Sequence, residues 1–87
     1  MMLNVADKSD IINEIKKTIS EISRINLFDL DDSVKIREEL GIDSIMAIEI
    51  IAKCERRFNI KIDETKLDSV QTMGDFINFV VSITEKK

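Results

Sequence analysis

The run Leu-Gly-Ile-Asp-Ser-Ile (residues 40–45) contains a serine that is well placed to accept a phosphate group. It ends a long acidic segment and opens a helix rich in isoleucine, so Ser44 is predicted to lie within one residue of a helix N-terminus. Unpaired N–H groups and the positive end of the helix dipole favour a phosphate there. Gly41 supplies backbone freedom for a tight entry, and Asp43 suits the N-cap. The run predicts either a phosphodiester on Ser44 or, as a plainer alternative, a simple helix cap.

The rest of the composition offers little for catalysis. The chain contains no histidine and a single cysteine, Cys54. An intramolecular disulfide and metal sites built from cysteine and histidine pairs are therefore excluded, and the commonest general base is missing. We predict no catalytic residue and no metal ligand, and we expect Cys54 to be a small buried side chain. We therefore expect Ser44 to be modified by another protein and not to act as a catalyst itself.

Length and charge restrict the class of protein. The chain has 87 residues, 44% of them hydrophobic, which suits one domain over residues 1–87 with frayed ends at 1–8 and 85–87. With 17 acidic and 13 basic side chains, its net charge of −4 argues against a nucleic-acid partner. No long apolar run or signal peptide is present, so we expect a cytoplasmic protein without a membrane span, acting as a monomer.

The first helix and the connection after it are predicted from apolar spacing. The helix is expected to begin after residues 7–10 and to end at about Ile25, with one apolar stripe formed by Ile12, Ile15, Ile19 and Ile22. Residues 26–42 read as a long loop, with a helical turn between Val34 and Leu40. Apolar side chains are expected to pin this loop to the core: Leu27, Phe28, Leu30, Val34, Ile36 and Leu40.

The second helix is predicted from Asp43 or Ser44 to Phe58, and it has more apolar residues than one buried stripe requires. One face fits the core and contains Ala47, Ile50, Ile51, Cys54 and Phe58. A second line, Ile45, Ile48 and Ala52, runs beside Ser44. This line indicates either a helix buried on a broad face or an exposed stripe that meets a partner.

The remaining segments complete an all-α domain. Residues 59–63 alternate apolar and polar side chains, as in a short extended connector with Ile60 and Ile62 facing inward. A short helix is predicted at residues 64–67, then a turn, then a last helix capped by Thr72 and Asp75. Its apolar stripe contains Met73, Phe76, Ile77, Val80 and Ile83, with Phe79 and Val81 beside it. The predicted fold is a four-helix bundle with a short third helix and a long loop between the first two helices.

Three stretches carry a resemblance to a known family: LGIDSIMAIEII (residues 40–51), ERRFNIKID (55–63) and TMGDF (72–76). Together they resemble the acyl carrier protein family over residues 12–83. In that family the serine matching Ser44 bears 4′-phosphopantetheine through a phosphodiester, and the aspartate matching Asp43 lies beside the arm. The resemblance implies a non-catalytic carrier that a phosphopantetheinyl transferase loads from coenzyme A. The arm's thiol would then hold acyl intermediates as thioesters for acyl-loading, acyl-transferring and condensing enzymes.

The second helix is the one that such carriers present to partner enzymes. The resemblance therefore implies a recognition role for Ile45, Met46, Ile48, Glu49 and Ala52. Bacterial fatty-acid carriers usually have a strongly acidic second helix, and this chain departs from that pattern at Met46, Lys53, Arg56 and Arg57. The departure favours polyketide-type or other specialised biosynthesis. A fatty-acid carrier and an aminoacyl or peptidyl carrier stay as alternatives, and an unmodified helical interaction module is the alternative from another class.

Overall fold

A computed structural model describes residues 8–85, which form three α-helices and two short 3₁₀ helices. The α-helices are α1 (Lys8–Ser23), α2 (Ser44–Phe58) and α3 (Met73–Glu85), and the 3₁₀ helices are Leu27–Asp29 and Glu64–Ser69. The all-α fold class is confirmed, and the predicted short third helix is the second 3₁₀ helix. Lys8 and Glu85 are helical where fraying was expected, whereas residues 1–7 and 86–87 lie outside the described part. Within residues 8–85, no helix is long and apolar enough to cross a membrane.

The end of α1 comes two residues before the predicted end at Ile25. Arg24 adopts a left-handed backbone conformation with a φ of 63°, and its N–H donates to the Ser20 carbonyl at 2.8 Å. A left-handed residue of this kind stops an α-helix while satisfying one of its last carbonyls. Apolar spacing alone did not predict this stop, because Ile25 still packs against the core.

One apolar core is shared by all three α-helices. Its buried members are Ile15 and Ile19 of α1, Ile50, Ile51 and Cys54 of α2, Met73, Phe76, Ile77, Val80 and Val81 of α3, and Leu30, Ile42 and Ile62 of the connections. The other predicted stripe residues, including Ile12, Ile22, Ala47 and Phe58, are partly buried against this cluster. Cys54 is buried as predicted, and desolvation raises the pKa of its thiol to about 12.

A single arginine connects α2 to α1. The Arg57 guanidinium donates to Glu14 at 3.3 Å, to Glu21 at 2.9 Å and to the Thr18 hydroxyl at 2.8 Å. The Thr18 hydroxyl is buried and also donates to the Glu14 carbonyl, so it acts both as a donor and as an acceptor inside the protein. Arg57 therefore belongs to the packing between the helices, although the sequence grouped it with the surface charges of the second helix.

The connection between α1 and α2 is anchored differently from the sequence prediction. Leu30 and Ile42 are buried, and Val34, Ile36 and Leu40 are partly buried. Leu27 and Phe28, however, are 46% and 89% exposed, so their predicted role as core anchors is wrong. The reason is local: the Asn26 side chain accepts from the Phe28 N–H at 3.0 Å and caps a 3₁₀ turn. This turn directs Leu30 into the core and leaves the side chains of Leu27 and Phe28 in solvent.

Backbone hydrogen bonds join this connection to the start of α3. The Ile36 N–H donates to the Gln71 carbonyl, and the Met73 and Gly74 N–H groups donate to the Val34 and Asp32 carbonyls, all at 2.8–2.9 Å. A Cβ atom on Gly74 would lie 3.1 Å from the Asp32 carbonyl oxygen, so glycine permits this close approach. The predicted helical turn between Val34 and Leu40 is a hydrogen-bonded turn over residues 36–40.

The predicted cap of α3 is confirmed. The Asp75 N–H donates to the Thr72 hydroxyl at 3.1 Å, and the Thr72 N–H donates back to the Asp75 carboxylate at 3.2 Å. Hydrogen bonds from the Gln71 and Thr72 N–H groups lower the pKa of the Asp75 carboxyl. Because folding lowers the pKa of the Asp75 carboxyl, its ionised form stabilises the fold at pH values above the unfolded-state pKa. This contribution is lost as the pH falls through the folded-state pKa.

The opposite burial of two side chains in the first connection gives a direct test of its anchoring. Leu30→Ala is expected to lower the free energy of unfolding by about 2–5 kcal/mol, because it leaves a cavity in the core. Phe28→Ala is expected to change it by less than about 0.5 kcal/mol, because its ring is already in solvent. Urea unfolding of both variants measures the difference. Equal losses would contradict the exposure of Phe28.

Candidate attachment site

The geometry at the start of α2 comes from three consecutive features of the chain. Gly41 has a φ of 66°, in the left-handed region that glycine adopts without strain. Ile42 is buried and fixes the chain against the core. Asp43 is the N-cap, and its carboxylate accepts from the Met46 N–H at 2.9 Å. Ser44 is consequently the first residue of α2, as the sequence predicted.

Ser44 presents an accessible hydroxyl at this helix terminus. The residue is exposed, and within residues 8–85 its hydroxyl has no hydrogen-bond partner. Asp43 accepts from the Met46 N–H, and the first N–H groups of α2, those of Ser44 and Ile45, have no acceptor within residues 8–85. An accessible hydroxyl beside free N–H donors and the positive end of a helix dipole suits a covalently attached phosphodiester. The residues present therefore fit a phosphopantetheine group.

A pocket of about 400 Å³ opens beside Ser44. It lies between α2, the turn that precedes it and the second 3₁₀ helix. Its apolar wall is formed by Ile19, Ile36, Ile42, Ala47, Ile50, Ile51, Leu67, Val70 and Phe76, and its polar lining by Arg37, Glu38, Asp43, Ser44, Asp68 and Gln71. Sequence reasoning missed this pocket, because its residues come from segments far apart in the chain.

The five residues predicted to recognise partners do not share one environment. Ile45 and Ile48 are 71% and 57% exposed, and Glu49 and Ala52 are also exposed. These four side chains lie on the solvent side of α2, and this excludes a helix buried on a broad face. Met46 differs, because it is partly buried and packs against the core. Their role in recognition stays a prediction.

Comparisons with known proteins agree with this site. Residues 13–80 match the family described as a phosphopantetheine attachment site, a class of carrier domains. The chain is 35% identical over 75 residues to an acyl carrier protein of Cyanophora paradoxa, covering 86% of this chain and 73% of that protein. It is 25% identical over 76 residues to an acyl carrier protein of Thermotoga maritima, covering 87% and 94%. The chain therefore belongs to the acyl carrier protein family.

Membership in this family settles the general chemistry. The cofactor is 4′-phosphopantetheine, and the protein is a carrier on which other enzymes act. The arm supplies a terminal thiol that forms thioesters, while the protein holds the arm and presents it. The alternative of an unmodified helical interaction module is disfavoured by the family match.

Proposed function

We propose that Ser44 is the residue that bears 4′-phosphopantetheine. The observation that supports this most directly is the exposed Ser44 hydroxyl at the start of α2, without a hydrogen-bond partner in the described part of the chain. In the loading step, Ser44 Oγ gives its proton to a base of the transferase and bonds to the phosphorus that carries the pantetheine half of coenzyme A. The pyrophosphate bond of coenzyme A breaks, and the nucleotide half leaves. Asp43 lies next to the arm and keeps the helix terminus in place.

We propose that the cargo is an acyl chain held as a thioester on the arm. The pocket beside Ser44 supports this, because most of its lining is apolar and its volume of about 400 Å³ lies within the range of small-molecule sites. An acyl chain gains free energy by leaving water, whereas the charged ammonium of an aminoacyl group does not. The pocket thus favours an acyl carrier over the aminoacyl or peptidyl alternative.

Loading of Ser44→Ala tests the attachment site. After incubation with coenzyme A and a broad-specificity phosphopantetheinyl transferase, we expect wild type to gain the mass of the arm and Ser44→Ala to gain none. The fold is expected to change in stability by less than about 0.5 kcal/mol, since Asp43, not Ser44, caps α2. Intact mass and urea unfolding measure the two effects.

Ser33→Ala is the matched control for this experiment, because Ser33 is also an exposed serine and lies in the connection that leads to α2. We expect it to load as wild type does. Loading of Ser44→Ala would place the attachment site elsewhere.

We propose that partner enzymes recognise the exposed line Ile45, Ile48 and Ala52, together with Glu49 and the accessible edge of Met46. Two large exposed apolar side chains within one helical turn of the attachment serine support this proposal. Apolar contact there would add affinity without a large interface, so that complexes stay short-lived and the carrier can move between enzymes.

We also propose that the protein acts as a monomer in the cytoplasm, where a lone cysteine such as Cys54 stays reduced.

A charge placed on this line tests recognition. Ile48→Asp is expected to slow acyl transfer to or from a cognate enzyme at least tenfold, because the partner's apolar contact would be lost. Its stability is expected to change by less than about 0.5 kcal/mol, because Ile48 is exposed. Thermal unfolding and transfer rates are measured on the same samples.

Ile51→Asp provides the contrast, since Ile51 is only 6% exposed and an unpaired charge there is expected to unfold the domain. Unchanged transfer by a folded Ile48→Asp protein would place recognition on another surface.

We propose polyketide-type or other specialised biosynthesis as the pathway, in preference to fatty-acid synthesis. The surface of α2 supports this, because exposed Arg56 and partly exposed Lys53 stand beside exposed Glu49 and partly exposed Glu55, so the helix surface is mixed in charge and not strongly acidic. Arg57 contributes less to this surface than the sequence implied, since Glu14 and Glu21 neutralise it. A partner built for an acidic helix would meet two cations here, and like charges across an interface oppose association.

Charge reversal tests the pathway. A malonyl transferase of bacterial fatty-acid synthesis is expected to acylate the loaded wild-type carrier at least tenfold more slowly than its own carrier. The double variant Lys53→Glu and Arg56→Glu is expected to recover part of that rate, because it restores an acidic helix surface. The measurement is the initial rate of acylation by mass spectrometry. Equal rates for the wild-type protein and the fatty-acid carrier would support fatty-acid synthesis.

A further inference from the structure

Arg37 is a cation at the attachment site whose role the sequence left open. It lines the same pocket as Ser44, although the two residues are seven positions apart in the chain. Within residues 8–85 its side chain has no hydrogen bond or ion pair, whereas Arg57 binds two glutamates and Lys35 pairs with Glu38. Its backbone is fixed, because the Gly41 N–H donates to the Arg37 carbonyl at 3.1 Å. An exposed, unpaired guanidinium thus stands on a structured turn that shares a pocket with Ser44.

The charges around the pocket show why a cation is needed there. Besides Arg37, its charged lining consists of three acids, Glu38, Asp43 and Asp68. A phosphodiester on Ser44 adds a further negative charge directly next to the Asp43 carboxylate. That repulsion disfavours a phosphate close to the helix terminus unless a positive charge offsets it. Among the pocket-lining residues, Arg37 alone supplies one.

The chemistry of arginine suits this task. Its guanidinium is planar, always charged and able to donate two parallel hydrogen bonds to phosphate oxygens. The two free N–H groups at the start of α2 would approach the phosphate from the helix side, and Arg37 from the pocket side.

We propose that Arg37 is a positioning residue that binds the phosphodiester of the arm and directs the first part of the arm along the pocket. The proposal rests on the proposed attachment to Ser44. Arg37 takes no part in bond formation, and it acts only on the orientation and mobility of the attached group.

The experiment uses the loaded full-length protein, with complete loading of each sample checked by intact mass. In the wild-type protein, loading is expected to shift the Nε–Hε resonance of Arg37 in a ¹H–¹⁵N NMR spectrum. Arg37→Ala is expected to move the ³¹P resonance of the phosphodiester and to increase the mobility of the arm, measured by ¹⁵N relaxation of its amide groups. Arg37→Lys is expected to restore these values in part, because lysine keeps the charge but not the paired donors.

Lys35→Ala is the matched control. It also removes one positive charge, two positions before Arg37, but the Lys35 side chain does not line the pocket. It is expected to leave the ³¹P resonance and the arm mobility as in wild type. Raising the ionic strength from about 0.01 M to about 1 M is expected to bring the wild-type values toward those of Arg37→Ala, because salt screens the contact.

An unshifted Arg37 Nε–Hε signal on loading, or the same ³¹P resonance and arm mobility in wild type and Arg37→Ala, would overturn the proposal. Failure of the attachment assignment gives a different result, because Ser44→Ala would then still gain the mass of the arm.

Discussion

The burial of Ile50, Ile51 and Cys54 in the apolar core sets the rotation of α2 about its own axis. An α-helix turns by about 100° per residue, so fixing three residues on one side decides the direction of every other side chain. Ile45 and Ile48 are therefore directed to solvent. Ser44, seven positions before Ile51, lies on the same side of the helix as the pocket, where the helix begins. Arg57 reinforces the same rotation from the other end of the helix through its contacts with α1. The side of α2 on which Ser44 lies and the exposure of the apolar line follow from this one constraint.

The long connection before α2 forms the other side of the pocket beside Ser44. Buried Leu30 and Ile42 hold it to the core, and backbone hydrogen bonds join its middle part to the start of α3. The segment can therefore carry many acidic side chains without losing its structure. It places Arg37 and Glu38 on the rim of the pocket that Ser44 shares. A loop of this length is uncommon in a small domain unless it has a function, and here it borders the pocket beside Ser44.

This arrangement suits a protein that must be handled by several enzymes in turn. The covalent arm keeps the cargo at a high effective concentration near each active site, so that the protein itself needs only weak contacts. The proposed contact of partner enzymes with the exposed line Ile45, Ile48 and Ala52 would be of that kind. An apolar pocket beside the serine offers the cargo an alternative to solvent between encounters. Binding of the arm's phosphate by Arg37 would hold the start of the arm in place both when the cargo lies in the pocket and when it is presented to an enzyme.

The sequence alone determined the attachment motif, the extent of α2, the caps at Asp43 and Thr72 and most of the core. Each of these depends on neighbours within about one helical turn, where spacing and capping chemistry are decisive. It could not determine that Leu27 and Phe28 face solvent, that Arg57 binds α1 or that Arg37 shares a pocket with Ser44. Those features depend on which distant segments meet, and only the tertiary packing of the helices and of the connection decides that.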